Sequence, residues 1–192
     1  MEYKKLIGQN AGETINEKVR NVLVAGTSVN YANAAAARQN LISTDTADLD
    51  DFIDVATALE ASDAPKIGDE YVAIISPYVK KRLMKDSAFR EAIRYLAKGS
   101  SIFTGEPVSV DAQRFVVTST APSVSNTGSN NSIATLDQSI IVGDGAYGIA
   151  RLLPGDFDVV VTPPGGHGDE YKVKTSMAWK AYLKAVILQQ TY

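Results

Sequence analysis

The sequence predicts an α+β fold, with helices in the first half and a sheet in the second. Apolar residues recur at three- and four-residue spacing through most of the first 98 residues, the signature of amphipathic helices. From Gly99 onward the pattern changes to short β-branched runs separated by Gly, Pro, Asp and Asn, which read as strands and turns. The 192 residues, 45% of them hydrophobic, suffice for a core without staples, since a domain of this size buries roughly 70% of its extended-chain surface.

The opening helix is predicted from Ile15, Val19, Val22 and Leu23, spaced on one face between Glu13, Asn16, Glu17, Lys18 and Arg20. Gly26 is its natural stop. After a small-residue segment at 33–37, Thr44, Asp45 and Thr46 are candidate N-caps for a second helix, whose stripe is Leu49, Phe52, Ile53, Ala56 and Leu59. Pro65 and Gly68 separate it from the apolar run YVAII at residues 71–75, predicted to be a buried strand. Ser76 followed by Pro77 then starts a helix, because Pro at the first helical position has no N–H to leave unpaired. A break is expected at Asp86 and Ser87, with helix resuming through Phe89, Ile93 and Leu96 up to Gly99.

In the second half, strands are predicted at residues 108–110, 114–118, 139–142, 147–152 and 157–162. The uncharged segment 123–132, SVSNTGSNNS, reads as an exposed, mobile loop. Residues 172–188 carry two patterns. Val173, Thr175, Met177, Trp179, Ala181 and Leu183 alternate as in a strand, whereas Trp179, Leu183, Val186 and Ile187 would suit a helix; strand is favoured.

Nineteen Lys and Arg against 22 Asp and Glu give a net charge of -3, without the positive field that non-specific nucleic-acid binding requires. The chain has no cysteine, which excludes disulfides, thiolate metal sites and Cys nucleophiles together. No apolar run approaches the roughly 20 residues needed to cross a bilayer, so no membrane role is expected. Charge is nevertheless segregated. Residues 45–70 hold nine acidic residues and only Lys66 as a base, while residues 80–98 hold seven bases against Asp86 and Glu91. Either stretch alone reads as a solvated face, but together they offer an acidic face and a basic face that meet between subunits. Asp48, Asp50, Asp51, Lys80, Lys81, Arg82, Arg90 and Arg94 are the candidate interface residues.

Motifs for catalysis are sparse. Residues 143–148, GDGAYG, match GxGxxG after a predicted strand, yet a dinucleotide site needs a helix next, and here a strand-like run continues to Pro154. The motif therefore reads as a hairpin turn. His167, the one histidine, lies in a Gly-rich polar stretch that reads as a loop, and its spacing to Asp169 and Glu170 fits no zinc motif. The acidic helix lacks the ligand spacing of a calcium loop. Trp179 among Ala178, Ala181 and Ala185 reads as core packing. No catalytic residue, cofactor or metal site is expected.

Several phrases in order carry a family resemblance: YVAIISP at 71–77, IFTGE at 102–106, RFVVT at 114–118, AYG at 146–148, VTPPG at 161–165 and WKA at 179–181. Together they resemble the major capsid proteins of tailed phages of the Enquatrovirus type. The resemblance implies the Johnson capsid fold, with a spine helix, an axial domain and a peripheral domain. On that mapping residues 1–44 hold the spine helix and its connection, 45–164 the axial domain, and 165–192 a returning strand of the peripheral domain. The match begins at the helix, so the N-terminal arm region of such proteins is expected to be lacking.

The resemblance further implies a structural, non-enzymatic protein that self-assembles into pentamers and hexamers of an icosahedral head. The head would enclose double-stranded DNA without specific binding and would form in the bacterial cytoplasm. Scaffold, portal or decoration proteins are the further partners implied. An encapsulin-like compartment shell is the alternative within the same fold, and a nucleotide-binding enzyme built on Gly143 to Gly148 is the alternative outside it.

Overall fold

Tyr71–Ile75 (β1) is the middle strand of a three-stranded sheet, parallel to Gln113–Val117 (β2) on one side and antiparallel to Ile140–Val142 (β5) on the other. The computed structural model describes residues 2–95, 112–125, 135–151, 157–165 and 171–189, the side chains of residues 2 and 92–95 excepted. Within these residues the order is α1 (Glu2–Val24), α2 (Leu49–Ala61), β1, α3 (Pro77–Leu83), α4 (Ser87–Tyr95) and β2. Seven strands complete it: β3 (Ser123–Ser125), β4 (Thr135–Asp137), β5, β6 (Tyr147–Arg151), β7 (Phe157–Thr162), β8 (Ser176–Ala181) and β9 (Leu183–Ile187). No described helix is long and apolar enough to cross a membrane.

The core lies where the helices cover this sheet. Tyr71, Ala73 and Ile75 are wholly buried, and the stripe Leu49 and Phe52 of α2 packs with Val79, Leu83, Phe89 and Phe115 against Ala73 and Ile75. Phe115 receives Phe52 and Phe89 edge-on, at centroid distances of 5.3 and 5.9 Å. Such T-shaped contacts add about 0.5–1.5 kcal/mol each beyond the area they bury. Gln113 is also buried. Its Nε2 donates to the Phe52 carbonyl at 2.6 Å, while its Oε1 has no hydrogen-bond partner.

Local signals set the helix ends. Ser76 accepts from Val79 N–H at 3.2 Å with Pro77 next to it, the start predicted from the sequence. The start of α2 differs from expectation. The N-cap is Asp48, whose backbone N–H donates to Asp51 Oδ2 at 3.1 Å in a capping box, and not Thr44, Asp45 or Thr46. Asp45 instead ties down the preceding loop, accepting from Ile42 N–H and from Asn33 Nδ2. At the other end, Asp63 takes the left-handed conformation (φ 54°), Asp63 N–H bonds to Glu60 O and Ala64 N–H to Leu59 O. This is a Schellman motif, and Leu59 and Ala64 bury their side chains together with Tyr71.

The second half is less covered. β6 pairs with β9 and β7 with β8, and since Tyr182 alone separates β8 from β9, one extended segment, a ribbon over 176–187, supplies a partner strand to both ladders. The ribbon resolves the ambiguity at 172–188: the segment is two strands, because α1 lies against β9 and β8 and half-buries their alternate residues. Trp179 Nε1 donates to Asn10 Oδ1 of α1 at 3.2 Å, and its ring stacks on Phe157 at 6.2 Å. Arg20 of α1 reaches the Thr120 carbonyl at 2.6 Å.

Two further expectations are corrected. The segment 123–132 is not loop throughout, because Ser123–Ser125 pairs with Thr135–Asp137, and backbone pairing needs no apolar side chain. Residues 143–148 do not close a hairpin. β5 pairs with β1 and β6 with β9, so the turn passes the chain from one sheet to another. The predicted strand 108–110, the end of the fourth helix at 96–99, residues 126–132 and His167 lie outside the described residues.

Candidate subunit interface

The charged stretches meet first within one chain. Arg82 Nε of α3 lies 3.6 Å from Asp48 Oδ1 at the start of α2, with both side chains about half exposed. An ion pair in that setting contributes at most about 1 kcal/mol. Asp51, beyond its capping role, accepts from Asn33 N–H at 3.1 Å. Asp50, Lys81 and Arg90 are exposed and Lys80 half-buried, and among the described residues none of these four forms an ion pair. Arg94 belongs to α4, its side chain outside the description.

Acidic and basic residues share a cleft of about 1300 Å³ between α2, α3, the loop before α2 and the β3–β4 pair. Asp45, Asp51 and Asp54 line it together with Lys81, Arg82 and Lys85. The cleft therefore carries both signs of charge, which suits a polar protein contact better than a site for a single anion or cation. Among the described residues no group of three or more His, Cys, Asp or Glu is placed to hold a metal ion.

The GxGxxG stretch has a structural use. A Cβ on Gly143 would stand 2.6 Å from the Pro65 carbonyl oxygen, and that same oxygen accepts from Asp144 N–H at 2.8 Å. Gly145 has φ 69°, as the turn requires. After Gly148 the chain continues as strand β6, so no helix N-terminus faces the motif.

One surface feature escaped the sequence reading. Val159, Val160 and Val161 on β7 are 45, 45 and 50% exposed, although α1 packs on the neighbouring strands. The signal was there: three consecutive valines in a strand put apolar groups on both faces, which a half-buried strand does not need. Val173, Tyr171 and Leu188 extend the exposed apolar surface of this half.

No curated protein matches the chain. A solved structure, the capsid of the cyanophage P-SCSP1u, superposes on 99% of this chain with a TM-score of 0.67 at 16% identity. The chain spans 63% of the length of that capsid protein, and the likeness extends to its fold, the capsid-type α+β arrangement. The family model for phage capsid proteins matches residues 2–189. With helix, sheet and ribbon all inside that match, the chain belongs to the phage capsid protein family.

Proposed function

We propose that this chain is the major capsid protein of a tailed phage of the Enquatrovirus type, building pentamers and hexamers of an icosahedral head around double-stranded DNA. The observation that carries the reading is the family match across residues 2–189. On this reading α1 is the spine helix of the Johnson fold, residues 45–164 form the axial domain and residues 165–192 return to the peripheral domain. The division at 164 runs along the ribbon, with β6 and β7 on one side and their partners β9 and β8 on the other. A ladder of that kind couples the two parts mechanically.

Ring closure needs two different patches on each subunit, since a heterologous contact joins unlike surfaces. Charged residues of α2, α3 and α4 supply opposite charges for such a contact: Asp50 on one subunit, Lys80, Lys81 and Arg90 on the next. A net charge of -3 suits a container whose wall does not hold its DNA tightly. Assembly takes place in the bacterial cytoplasm, with scaffold, portal and decoration proteins as further partners.

Particle mass and shape test the reading directly, by light scattering and negative-stain microscopy at low and high salt. Shells, or rings of five or six, are the expected result. A monomer in both salts, with no particles at any concentration, counts against self-assembly by this chain.

A further inference from the structure

We infer that Arg20 and the Thr120 carbonyl form a latch that holds two bodies of this chain at one angle, and that the bodies swing about the joint between them when it opens. The use of such a motion rests on the capsid role proposed above, since a head of fives and sixes seats one chain in rings of two different curvatures. One body is α1 with the ribbon and its partner strands β6 and β7: α1 packs on β9 and β8, buries Ala11 and accepts the Trp179 hydrogen bond at Asn10. The other is the three-stranded sheet with α2, α3 and α4, which share one core. Among the described residues none of β6 to β9 is laddered to that sheet, and the chain passes between the bodies after α1 and again at residues 143–146. The mechanical division therefore falls at 143–146, because β6 and β7 go with their partners β9 and β8.

The joint is loosely filled, whereas the latch is firmly held on both sides. A pocket of about 110 Å³ opens between the bodies, with Leu23, Gly26 and Ile187 on one side and Ala64, Pro65 and Gly143 on the other. Motion there dismantles neither core. On the sheet side, Thr118 N–H donates to the Ile75 carbonyl at 3.0 Å, and the Thr118 hydroxyl accepts from Thr120 N–H at 3.2 Å, which fixes the turn after β2. The Thr120 carbonyl thus moves with the sheet. On the α1 side, Glu17 and Asn21 hold the Arg20 guanidinium through Nη2 and Nε, and Nη1 donates to that carbonyl at 2.6 Å. Asn16 Nδ2 adds a longer contact to Thr120 Oγ1 at 3.4 Å. Arg20 keeps its partners on α1 when the latch opens, so opening strands no charge and breaks one charge-assisted hydrogen bond.

Energy transfer reads the angle. Trp179, the single tryptophan, lies in the ribbon, and the chain has no cysteine, so a dansyl group on A58C, an exposed position of α2, reports the distance between the bodies. Trp179 emission lifetimes of the unassembled, full-length protein are compared for the labelled parent, R20A, R20K and K18A, each against its unlabelled form; Lys18 is an exposed residue of the same helix. The expected result is a second lifetime in R20A whose share is about tenfold above that in the parent, the effect of losing one hydrogen bond to a charged group. R20K, which keeps a charged donor, is expected to lie between the two, and K18A to match the parent. Lifetimes in folded R20A equal to those of the parent overturn the latch. So does a lower urea midpoint in R20A with unchanged lifetimes before unfolding, which makes Arg20 a stabilising contact and nothing more. Particles from the parent together with unchanged lifetimes in R20A leave the capsid role standing and remove the latch; shifted lifetimes in R20A without particles from the parent do the reverse.

Discussion

The carboxylate of Asp86 holds the backbone of Leu49: Oδ2 accepts from the first N–H of α2 at 3.3 Å, while Oδ1 accepts from Ala88 N–H in the first turn of α4 at 3.0 Å. One side chain thus caps two helix starts, its own and that of α2 at Leu49, 37 residues before it in sequence. It also explains the break between α3 and α4, where a residue able to leave helical geometry and turn its side chain back is required.

Removing that carboxylate should therefore cost more than an ordinary cap. Asp86→Ala is expected to destabilise the fold by about 2 kcal/mol, the upper end for a single N-cap, and Asp86→Asn by less because its amide oxygen still caps one helix. Urea unfolding midpoints of the two variants check this. Equal midpoints for Asp86→Ala and the unaltered chain would refute the double-cap reading.

Tyr71 makes stability fall at high pH. Burial of its ring raises the phenol above its ordinary value of 10.0, with Glu60 and Asp63 adding to the shift and Lys66, 5.4 Å from the ring centre, opposing it. The folded state therefore favours the neutral phenol, which donates to the Ala64 carbonyl at 2.9 Å. Below pH 10 both states keep the proton and the contribution is complete; above it the unfolded chain ionises first, and stability declines until the folded phenol also titrates. Tyr71→Phe is expected to lose about 1 kcal/mol at pH 8, the worth of one buried hydrogen bond. The gap to the unaltered chain should narrow at pH 11, as read from urea midpoints at the two pH values.

Gly143 and Gly145 are glycines for different reasons, and alanine substitution separates them. Gly143→Ala forces the Pro65 carbonyl away and is expected to cost about 1–3 kcal/mol through overpacking. Gly145→Ala meets nothing within 4 Å and pays only for its positive φ, about 1 kcal/mol. Thermal melts that rank the two in the opposite order would show that the Pro65 contact yields more easily than its 2.6 Å approach implies.

Charge reversal tests the proposed contact between subunits. Lys80→Glu with Lys81→Glu should reduce assembly at low salt and make the remainder increase with salt, since like charges then face each other and are screened over about 10 Å at 0.1 M. Adding Arg82→Glu brings a second, internal effect, because Asp48 lies 3.6 Å away in the same chain. Sedimentation at two salt concentrations reads the first, and melting of the unassembled chain reads the second. Unchanged capsomer formation and salt dependence in the triple variant would remove the charge-pairing idea.

What the sequence made legible was local. The run at 71–75 is wholly apolar, and Ser76 with Pro77 supplies a cap and a fixed φ, so both the strand and the helix after it were readable from adjacent residues. The start of α2 was not, because Asp45 and Asp48 have the same capping chemistry and only the fold assigns Asp45 to Asn33 and Ile42. β3 was hidden by its polar side chains, since its pairing with β4 is a backbone property. Of the candidate interface, the segregated charge was legible, but the contact of Arg82 with Asp48 depends on how α2 and α3 pack. The valines of β7 were visible as a strand, and their exposure became apparent only once α1 was placed on the other strands.

The long ribbon has an arithmetic consequence. Tyr147 pairs with Ile187 and Phe157 with Ala181, so residue numbers sum to 334 in one ladder and to 338 in the other. The offset of four is even, and in both ladders odd-numbered residues lie opposite odd-numbered partners. A single-residue insertion or deletion at Tyr182 would set the half-buried odd-numbered residues of β8, Trp179 among them, and those of β9, such as Ala185, on opposite faces. Change by two residues would preserve them, so length variation at this junction is tolerable in pairs, a constraint on how the ribbon can evolve or be engineered.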